Sequence, residues 1–159
     1  MVDDSGLVGQ VIDGRFEVKR RIGSERGTVL FAAALTTSGR ALTFRVFYPH
    51  AGIDGEAVRR WQQAVRGAVN LRHPNTATTH GYGTTPDGGL YVATDEPVGV
   101  RLRDLIDARG RLPLEQASYI LAEVCASLTE AHAIGVVHGA LTPCAIYVAE
   151  RPDGPPHVT

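Results

Sequence analysis

Lysine is nearly absent from this sequence. Lys19 is the only one, so 15 of the 16 basic side chains are arginine, and 17 acidic residues bring the net charge to −1. A chain this close to neutral lacks the basic surface that binds nucleic acid and the charge that attracts it to anionic membranes. We therefore expect no nucleic-acid partner and no membrane partner.

Cysteine and long apolar runs are also scarce. The two cysteines, Cys125 and Cys144, are too few for a disulfide framework and lack the spacing of metal ligands. No run reaches the length of a transmembrane helix, and residues 1–5 are acidic and lack the apolar stretch of a signal peptide. These absences indicate a reduced, cytoplasmic protein with no metal and no cofactor.

The first half of the chain has the pattern of β-strands. Apolar and branched residues mark strands at 15–22, 28–35 and 41–48, separated by short turns that contain glycine. Two more strands are predicted at 76–83 and 89–95. Because a helical period interrupts the series at 54–71, the pattern predicts an antiparallel sheet of five strands with one helix.

The second half is mainly helical. A short helix is predicted at 102–109, where Gly110 ends it, and a long helix at 114–133, which is entered through Pro113. Residues 146–148 have the pattern of a strand, and the proline-rich residues 151–156 that of a turn. Strands followed by helices predict an α+β domain with a sheet lobe and a helical lobe.

Four short segments carry a more specific resemblance. In order and in spacing, Val11–Val18, Leu71–Asn75, Leu90–Asp95 and Ala133–Pro143 resemble landmarks of the bacterial, eukaryotic-like serine/threonine protein kinases. The resemblance implies a protein-kinase-like fold, with a five-stranded N-lobe and the first part of a helical C-lobe. It divides the single domain into a tail at 1–10, an N-lobe at 11–95, and a hinge with a truncated C-lobe at 96–159.

The phosphate loop implied by this resemblance departs from the family pattern. It reads Gly23-Ser-Glu-Arg-Gly27-Thr-Val29, which is one residue shorter than the family motif and lacks its middle glycine. Glu25 and Arg26 take the tip, where a glutamate would repel phosphate. A plain hairpin turn is the simpler interpretation of this segment.

Other implied nucleotide positions are also changed. The third-strand lysine position is Arg45, and Ala64 stands where the helix glutamate that pairs with it is expected. Arginine keeps the positive charge of lysine, but its guanidinium group is bulkier, planar and rigid. The resemblance places Val29 and Thr43 over the adenine and Thr94 at the gatekeeper position. Any nucleotide site on Gly23, Gly27, Val29, Thr43, Arg45 and Thr94 is therefore expected to be weak.

The catalytic loop departs furthest. Where the family has His-Arg-Asp, this chain has His138-Gly-Ala140; Thr142 replaces the loop lysine, and Ala145 the metal-binding asparagine. Phosphoryl transfer needs a carboxylate to orient the nucleophile and ligands for magnesium. The sequence therefore predicts a pseudokinase that is not an enzyme, in which His138 packs and hydrogen-bonds within the loop.

Three functions stay open at this point. The chain can be an adaptor or regulator that binds a protein partner, or a degenerate ATP-binding sensor without phosphotransfer. The third possibility is an enzyme that catalyses a different nucleotide transfer; it would need metal ligands, and the sequence offers no paired carboxylates at the cleft. The long helix favours the first, because its apolar residues sweep a wide arc. It predicts an interface for a homodimer or a protein partner at Tyr119, Ile120 and Val124, unless helix 102–109 and the tail cover them.

Overall fold

The computed structural model describes residues 4–25, 27–48 and 55–159. The chain forms two compact units, the first running to Val69 and including Thr78–Glu96, the second made of Asn70–Ala77 and Pro97–Thr159. Each unit has its own sheet and its own apolar core. The division falls close to the predicted lobe boundary, except that Asn70–Ala77 belongs to the second unit.

The first unit is an antiparallel sheet with one helix. Its six strands lie in the order β1-β2-β3-β4-β6-β5. The predicted fold class is confirmed, since each strand pair runs antiparallel. The elements are a 3-10 turn at Asp4–Leu7, β1 (Val11–Ile12), β2 (Phe16–Glu25), β3 (Thr28–Leu35), β4 (Ala41–Phe47), α1 (Gly55–Ala68), β5 (Thr79–Thr84) and β6 (Leu90–Asp95).

The sixth strand corrects the predicted number of five. Val11–Val18, which resembled the opening of the family's first strand, is folded into a hairpin at Asp13-Gly14, and β1 pairs with the start of β2. Both turn residues have positive φ, 51° at Asp13 and 65° at Gly14. An Asp-Gly pair is the usual sequence of such a tight hairpin turn, so the signal for this strand was present in the sequence.

An aromatic cluster forms the centre of the first core. The rings of Phe44 and Tyr91 stack with their centroids 4.5 Å apart, and Phe16 meets Tyr91 edge-on at 5.8 Å. All three side chains are fully buried. Leu7 joins the same core, so the part of the predicted tail that the structure describes packs against the sheet.

The second unit combines two helices with a small sheet of order β7-β8-β9. The helices begin and end at the residues predicted from the sequence. No helix in the described part of the chain is long and apolar enough to cross a membrane. The elements are β7 (Val100–Arg101), α2 (Leu102–Arg109), α3 (Leu114–Ala133), a 3-10 turn at Pro143–Ala145, β8 (Tyr147–Arg151) and β9 (Gly154–Val158).

A hairpin replaces the turn that was predicted at 151–156. β9 returns along β8, and Val158 is buried in the second core. Pro155 and Pro156 made a strand improbable at this position, because proline cannot donate a backbone hydrogen bond. The sheet accommodates both residues because β9 is an edge strand, where proline is tolerated.

The predicted interface on α3 is wrong for two of its three residues. Ile120 is 1% exposed and Val124 8%, and both belong to the second core; Tyr119 is half-buried and packs against it. The core partners of α3 include α2 and the hairpin of β8 and β9. The alternative, in which α2 and the tail fold back over this side of the helix, is therefore the correct one.

Candidate functional site

One face of the first sheet holds three of the predicted nucleotide-binding residues. Thr43 on β4 stands directly opposite Thr94 on β6, and Arg45 lies two residues further along β4. Directly paired strand residues point to the same face, as do residues two apart on one strand. The Nη1 atom of Arg45 donates a hydrogen bond to Oγ1 of Thr94 over 3.0 Å. The structure thus brings these three side chains together.

Val29 lies on the other face of this sheet. It pairs with Val46 of β4 and packs against the aromatic core. The prediction that it lies beside Thr43 is therefore wrong. The β3 residues on that face include Leu30, which pairs with Arg45, and Ala32, which pairs with Thr43. Successive strand residues point to opposite faces, so a shift of one residue moves a side chain to the other face. The loop before β3 is one residue shorter than the family motif, and this was the sequence signal that Val29 faces the other way.

Residues 23–29 form a hairpin between β2 and β3. Gly23 pairs with Leu30 beyond a register shift, and Glu25 pairs with Thr28 next to the turn. Gly27 has a φ of 79°, a conformation that glycine adopts without strain. Arg26 and the side chain of Glu25 lie outside the described residues, so the expected repulsion of phosphate at this tip stays a prediction.

The helix position that was compared with the family glutamate is on the surface. Ala64 is exposed on α1, and the neighbouring Val65 is the buried residue of that turn. Glu56, in the first turn of α1, lies 3.8 Å from Arg60 in an exposed pair. Such a pair contributes little to stability. On this face, the described contact of the Arg45 side chain is its hydrogen bond to Thr94.

His138 organises the loop that follows α3. Its Nδ1 atom accepts a hydrogen bond from the backbone N–H of Ala140 over 3.3 Å. Although the residue as a whole is exposed, removal of its ring from water lowers the pKa of His138 below the ordinary value, because desolvation disfavours the charged imidazolium. The expected hydrogen-bonding role of this residue is seen in the contact with Ala140.

The rest of this loop is short and mostly exposed. Ala140 and Ala145 are exposed and Thr142 is half-buried. The N–H of Ala145 donates to the carbonyl of Thr142 over 2.9 Å, and the carbonyl of Ile146 accepts from Leu102 over 2.8 Å. The loop is thereby fixed to the start of α2. It offers an imidazole, hydroxyls and one thiol as chemical groups.

A buried amide links three parts of the second unit. Nδ2 of Asn75 donates to Oε2 of Glu123 on α3 over 2.9 Å and to the carbonyl of Val158 on β9 over 2.7 Å. Its backbone N–H donates to Nδ1 of His73. Sequence reasoning recognised the segment but assigned Asn75 no role; its position directly after Pro74 was the available signal.

Metal-ligating groups do not cluster in the described ranges. Among residues 4–25, 27–48 and 55–159, no group of three or more histidine, cysteine, aspartate or glutamate side chains is placed to hold a metal ion. The two cysteines are both exposed and unlinked. The groups that the described residues bring together are therefore the Arg45 face of the first unit and the His138 loop of the second.

Comparison with solved structures identifies the class of this fold. The kinase domain of PknI from Mycobacterium tuberculosis superimposes with a TM-score of 0.80 at 23% identity, covering 96% of this chain and 60% of that domain. A second PknI kinase-domain structure gives 0.76 at 25% identity, covering 88% of this chain and 56% of that one. The fold is that of a protein kinase.

Curated relatives agree with this class. The chain is 27% identical over 156 residues to the serine/threonine-protein kinase Pkn3 of Myxococcus xanthus, 98% of this chain and 28% of that protein. It is 28% identical to PknA of Mycobacterium tuberculosis, over 98% of this chain and 36% of PknA. The chain thus spans about a third of the length of these relatives, and no family model matches it.

The chain is similar to bacterial serine/threonine protein kinases and has their fold, as the sequence landmarks implied. The relatives contradict the prediction that it is not an enzyme. Pkn3, PknA and PrkC of Bacillus subtilis are all named serine/threonine-protein kinases. The prediction rested on departures in the phosphate loop, at Arg45 and Ala64, and in the loop 138–145. These few positions were too narrow a basis against the resemblance of the whole chain.

Proposed function

We propose that this chain is a cytoplasmic, kinase-fold module that acts as a regulator by binding protein, and that one side of α3 is its binding surface. The observation that carries the proposal is the exposure of large apolar residues there, 83% for Leu114 and 59% for Leu121. Exposed apolar surface of this kind commonly marks an interface. Two exposed, unlinked cysteines support a reducing compartment.

The proposed surface, called the α3 face below, is opposite the buried side of the helix. Its members are all exposed and recur at helical spacing. None carries a carboxylate, an ammonium or a guanidinium group. The α3 face consists of Leu114, Ser118, Leu121, Ala122, Cys125 and Thr129.

The chemistry of the α3 face favours a second copy of this chain as the occupant. A two-fold axis places the same surface on both copies, so a patch with like charges repels itself and an uncharged one does not. Small side chains such as Ala122 and Cys125 allow another helix to approach closely, while Leu121 supplies apolar area. The surface is therefore suited to packing against its own copy.

Light scattering of the purified chain tests this proposal. We expect the wild-type chain to self-associate with rising concentration and the Leu121→Glu variant to stay monomeric. Val98→Glu is the matched control, because Val98 is also in the second unit and 68% exposed but lies outside the α3 face. A wild-type chain that stays monomeric, or equal loss of association in both variants, contradicts the proposal.

Cross-linking gives an independent measurement of the same pairing. In a Cys144→Ser variant, Cys125 is the only thiol left. If two α3 faces pack together, a short bis-maleimide joins Cys125 of one copy to Cys125 of the other. Adding Leu121→Glu to this variant is expected to abolish the cross-link without changing the reactivity of the thiol towards a monofunctional maleimide.

Nucleotide binding is the second candidate function. The observation in its favour is the guanidinium of Arg45 on the same sheet face as Thr43 and Thr94, in a family of proteins named kinases. Against it, one Arg45 nitrogen already donates to Thr94. Calorimetry with magnesium-ATP tests this candidate: binding that Arg45→Ala abolishes supports it, and binding that the substitution leaves unchanged excludes the Arg45 face as the site.

A further inference from the structure

The second unit contains a groove that the kinase-like landmarks do not include. Its volume is about 600 Å³, within the range of small-molecule binding sites. α2 forms one wall, and β7, β8 and the residue before β7 form the other. The lining residues on which the argument depends are Gly99, Val100, Asp104, Ala108, Arg109 and Glu150.

Local geometry keeps this groove open. Gly99 has a φ of 101°, and a Cβ atom added to it would lie 2.3 Å from the carbonyl oxygen of Val148, so only glycine fits against β8 at this point. On α2, the lining residues Asp104 and Ala108 are one turn apart and share a side of the helix. Ala108 contributes only a methyl group to the lining, so it takes up little of the space beside α2.

The floor of the groove is apolar and firmly packed. Leu105 of α2 and Val148 of β8 line it, and both belong to the second core, with 8% and 2% of their surface exposed. Val100 pairs with Val148 in the small sheet and is half exposed. A ligand in the groove therefore meets a preformed apolar surface, which reduces the entropic cost of binding.

Charge at the edge of the groove is unbalanced. Arg109 and Glu150 neutralise each other, since Nη2 of Arg109 lies 2.7 Å from Oε1 of Glu150. Asp104 makes no hydrogen bond or ion pair with the described residues. The neighbouring Asp107, which does not line the groove, is paired with Arg103 over 2.9 Å. Among the described lining residues, Asp104 is thus the carboxylate without an ion-pair partner, and it stands beside the apolar floor.

We propose that this groove binds a small organic cation, with an apolar body on Leu105 and Val148 and its single positive group at Asp104. The apolar area supplies the affinity, and the carboxylate selects the sign of the charge. The proposal goes beyond the α3 face, because none of the groove residues belongs to that surface.

Three probes of one shape test the role of charge. 4-Phenylbutylamine, 4-phenylbutan-1-ol and 4-phenylbutanoate carry the same apolar body and differ in their end group. Titrated into the ¹⁵N-labelled chain, the amine is expected to shift the amides of Gly99, Val100 and Ala108 and to bind about fivefold more tightly than the alcohol. The carboxylate is expected to bind more weakly than the alcohol.

Two charge-matched variants distinguish Asp104 from a general effect of net charge. Asp104→Asn is expected to reduce amine binding to the level of the alcohol, while Asp107→Asn leaves it unchanged. Ala108→Leu fills the groove and is expected to abolish binding of all three probes; unchanged melting temperatures establish that each variant is folded. Equal binding of amine and carboxylate, equal effects of the two asparagine variants, or amide shifts confined to other regions would overturn the proposal.

Discussion

The two units differ in how completely they bury their apolar residues. Among the described residues, the core of the first unit has eleven buried members, four of them aromatic, whereas the core of the second unit has seven buried members and no aromatic ring among them. Of the ten large apolar residues that are exposed in the described part of the chain, seven belong to the second unit: Val98, Val100, Leu114, Leu121, Ile134, Val137 and Leu141.

This difference indicates which unit offers surfaces for binding. A sheet buries apolar residues through its alternating pattern. In the first unit, most large apolar residues of the strands lie on a buried side of the sheet, with Val11 and Ile22 as exposed exceptions. A single long helix packed on one side leaves its other side exposed, and α3 has apolar residues on both. The α3 face and the groove beside α2 both lie in the second unit, so we expect ligands and partners to act mainly there.

The largest expected effect is a cavity in the aromatic core of the first unit. Phe44 is fully buried and stacks on Tyr91, so Phe44→Ala is expected to reduce the free energy of unfolding by about 3–5 kcal/mol. Urea unfolding followed by the fluorescence of Trp61, the only tryptophan, measures it in this unit. Phe47→Ala on the same strand is the control: Phe47 is only half-buried, and a loss equal to that of Phe44→Ala would contradict the comparison.

Substitutions at two neighbouring residues of α3 compare a core position with a surface position of the second unit. Ile120→Ala is expected to cost about 2–5 kcal/mol because Ile120 is buried. Leu121→Ala is expected to change stability by no more than about 0.5 kcal/mol in dilute solution, where the chain is monomeric. Urea unfolding followed by circular dichroism measures both; similar losses would show that α3 is packed on both sides.

The same pair of residues explains the limit of the sequence analysis. Periodicity located α3 to the residue and identified its wide apolar arc, because helical spacing depends only on the chain itself. It could not decide between Ile120 and Leu121 for the buried side, since that depends on where α2 and β9 pack. β9 was not predicted because it contains Pro155 and Pro156, and proline has no backbone N–H to donate to a sheet. Val29 was placed on the wrong face because its direction depends on strand register, which one residue in a loop reverses.

A smaller effect is expected from the buried amide that joins α3 to β9. Asn75→Ala leaves the carbonyl of Val158 and the carboxylate of Glu123 without their donor. The expected loss is about 1–3 kcal/mol, measured by urea unfolding followed by circular dichroism. Asn75→Asp keeps the shape of the side chain but places two carboxylates together, so it should be the more destabilising of the two. The opposite order would mean that the amide contributes through packing alone.

The smallest expected effect concerns a carboxylate at the turn between β5 and β6 of the first unit. Partial burial by itself raises the pKa of Asp87, but hydrogen bonds from Thr85 and Tyr48 outweigh it and lower the pKa below the ordinary value. The hydroxyl of Tyr48 donates to Oδ2 over 2.7 Å. Because the folded pKa is the lower one, this carboxylate stabilises the fold above the unfolded pKa, and the stabilisation is lost as the pH falls through the folded pKa.

Asp87→Asn removes this pH-dependent contribution. Asp87 is exposed, so the wild-type chain is expected to exceed the variant by about 0.5 kcal/mol or less at neutral pH. The difference should shrink as the pH falls from about 5 to about 3. Urea unfolding followed by Trp61 fluorescence at several pH values measures it. Tyr48→Phe, which removes one donor, should move the pKa of Asp87 back towards its ordinary value in an NMR titration. A stability difference that is constant with pH, or that grows on acidification, would show that the hydrogen bonds at this turn do not favour the ionised carboxylate.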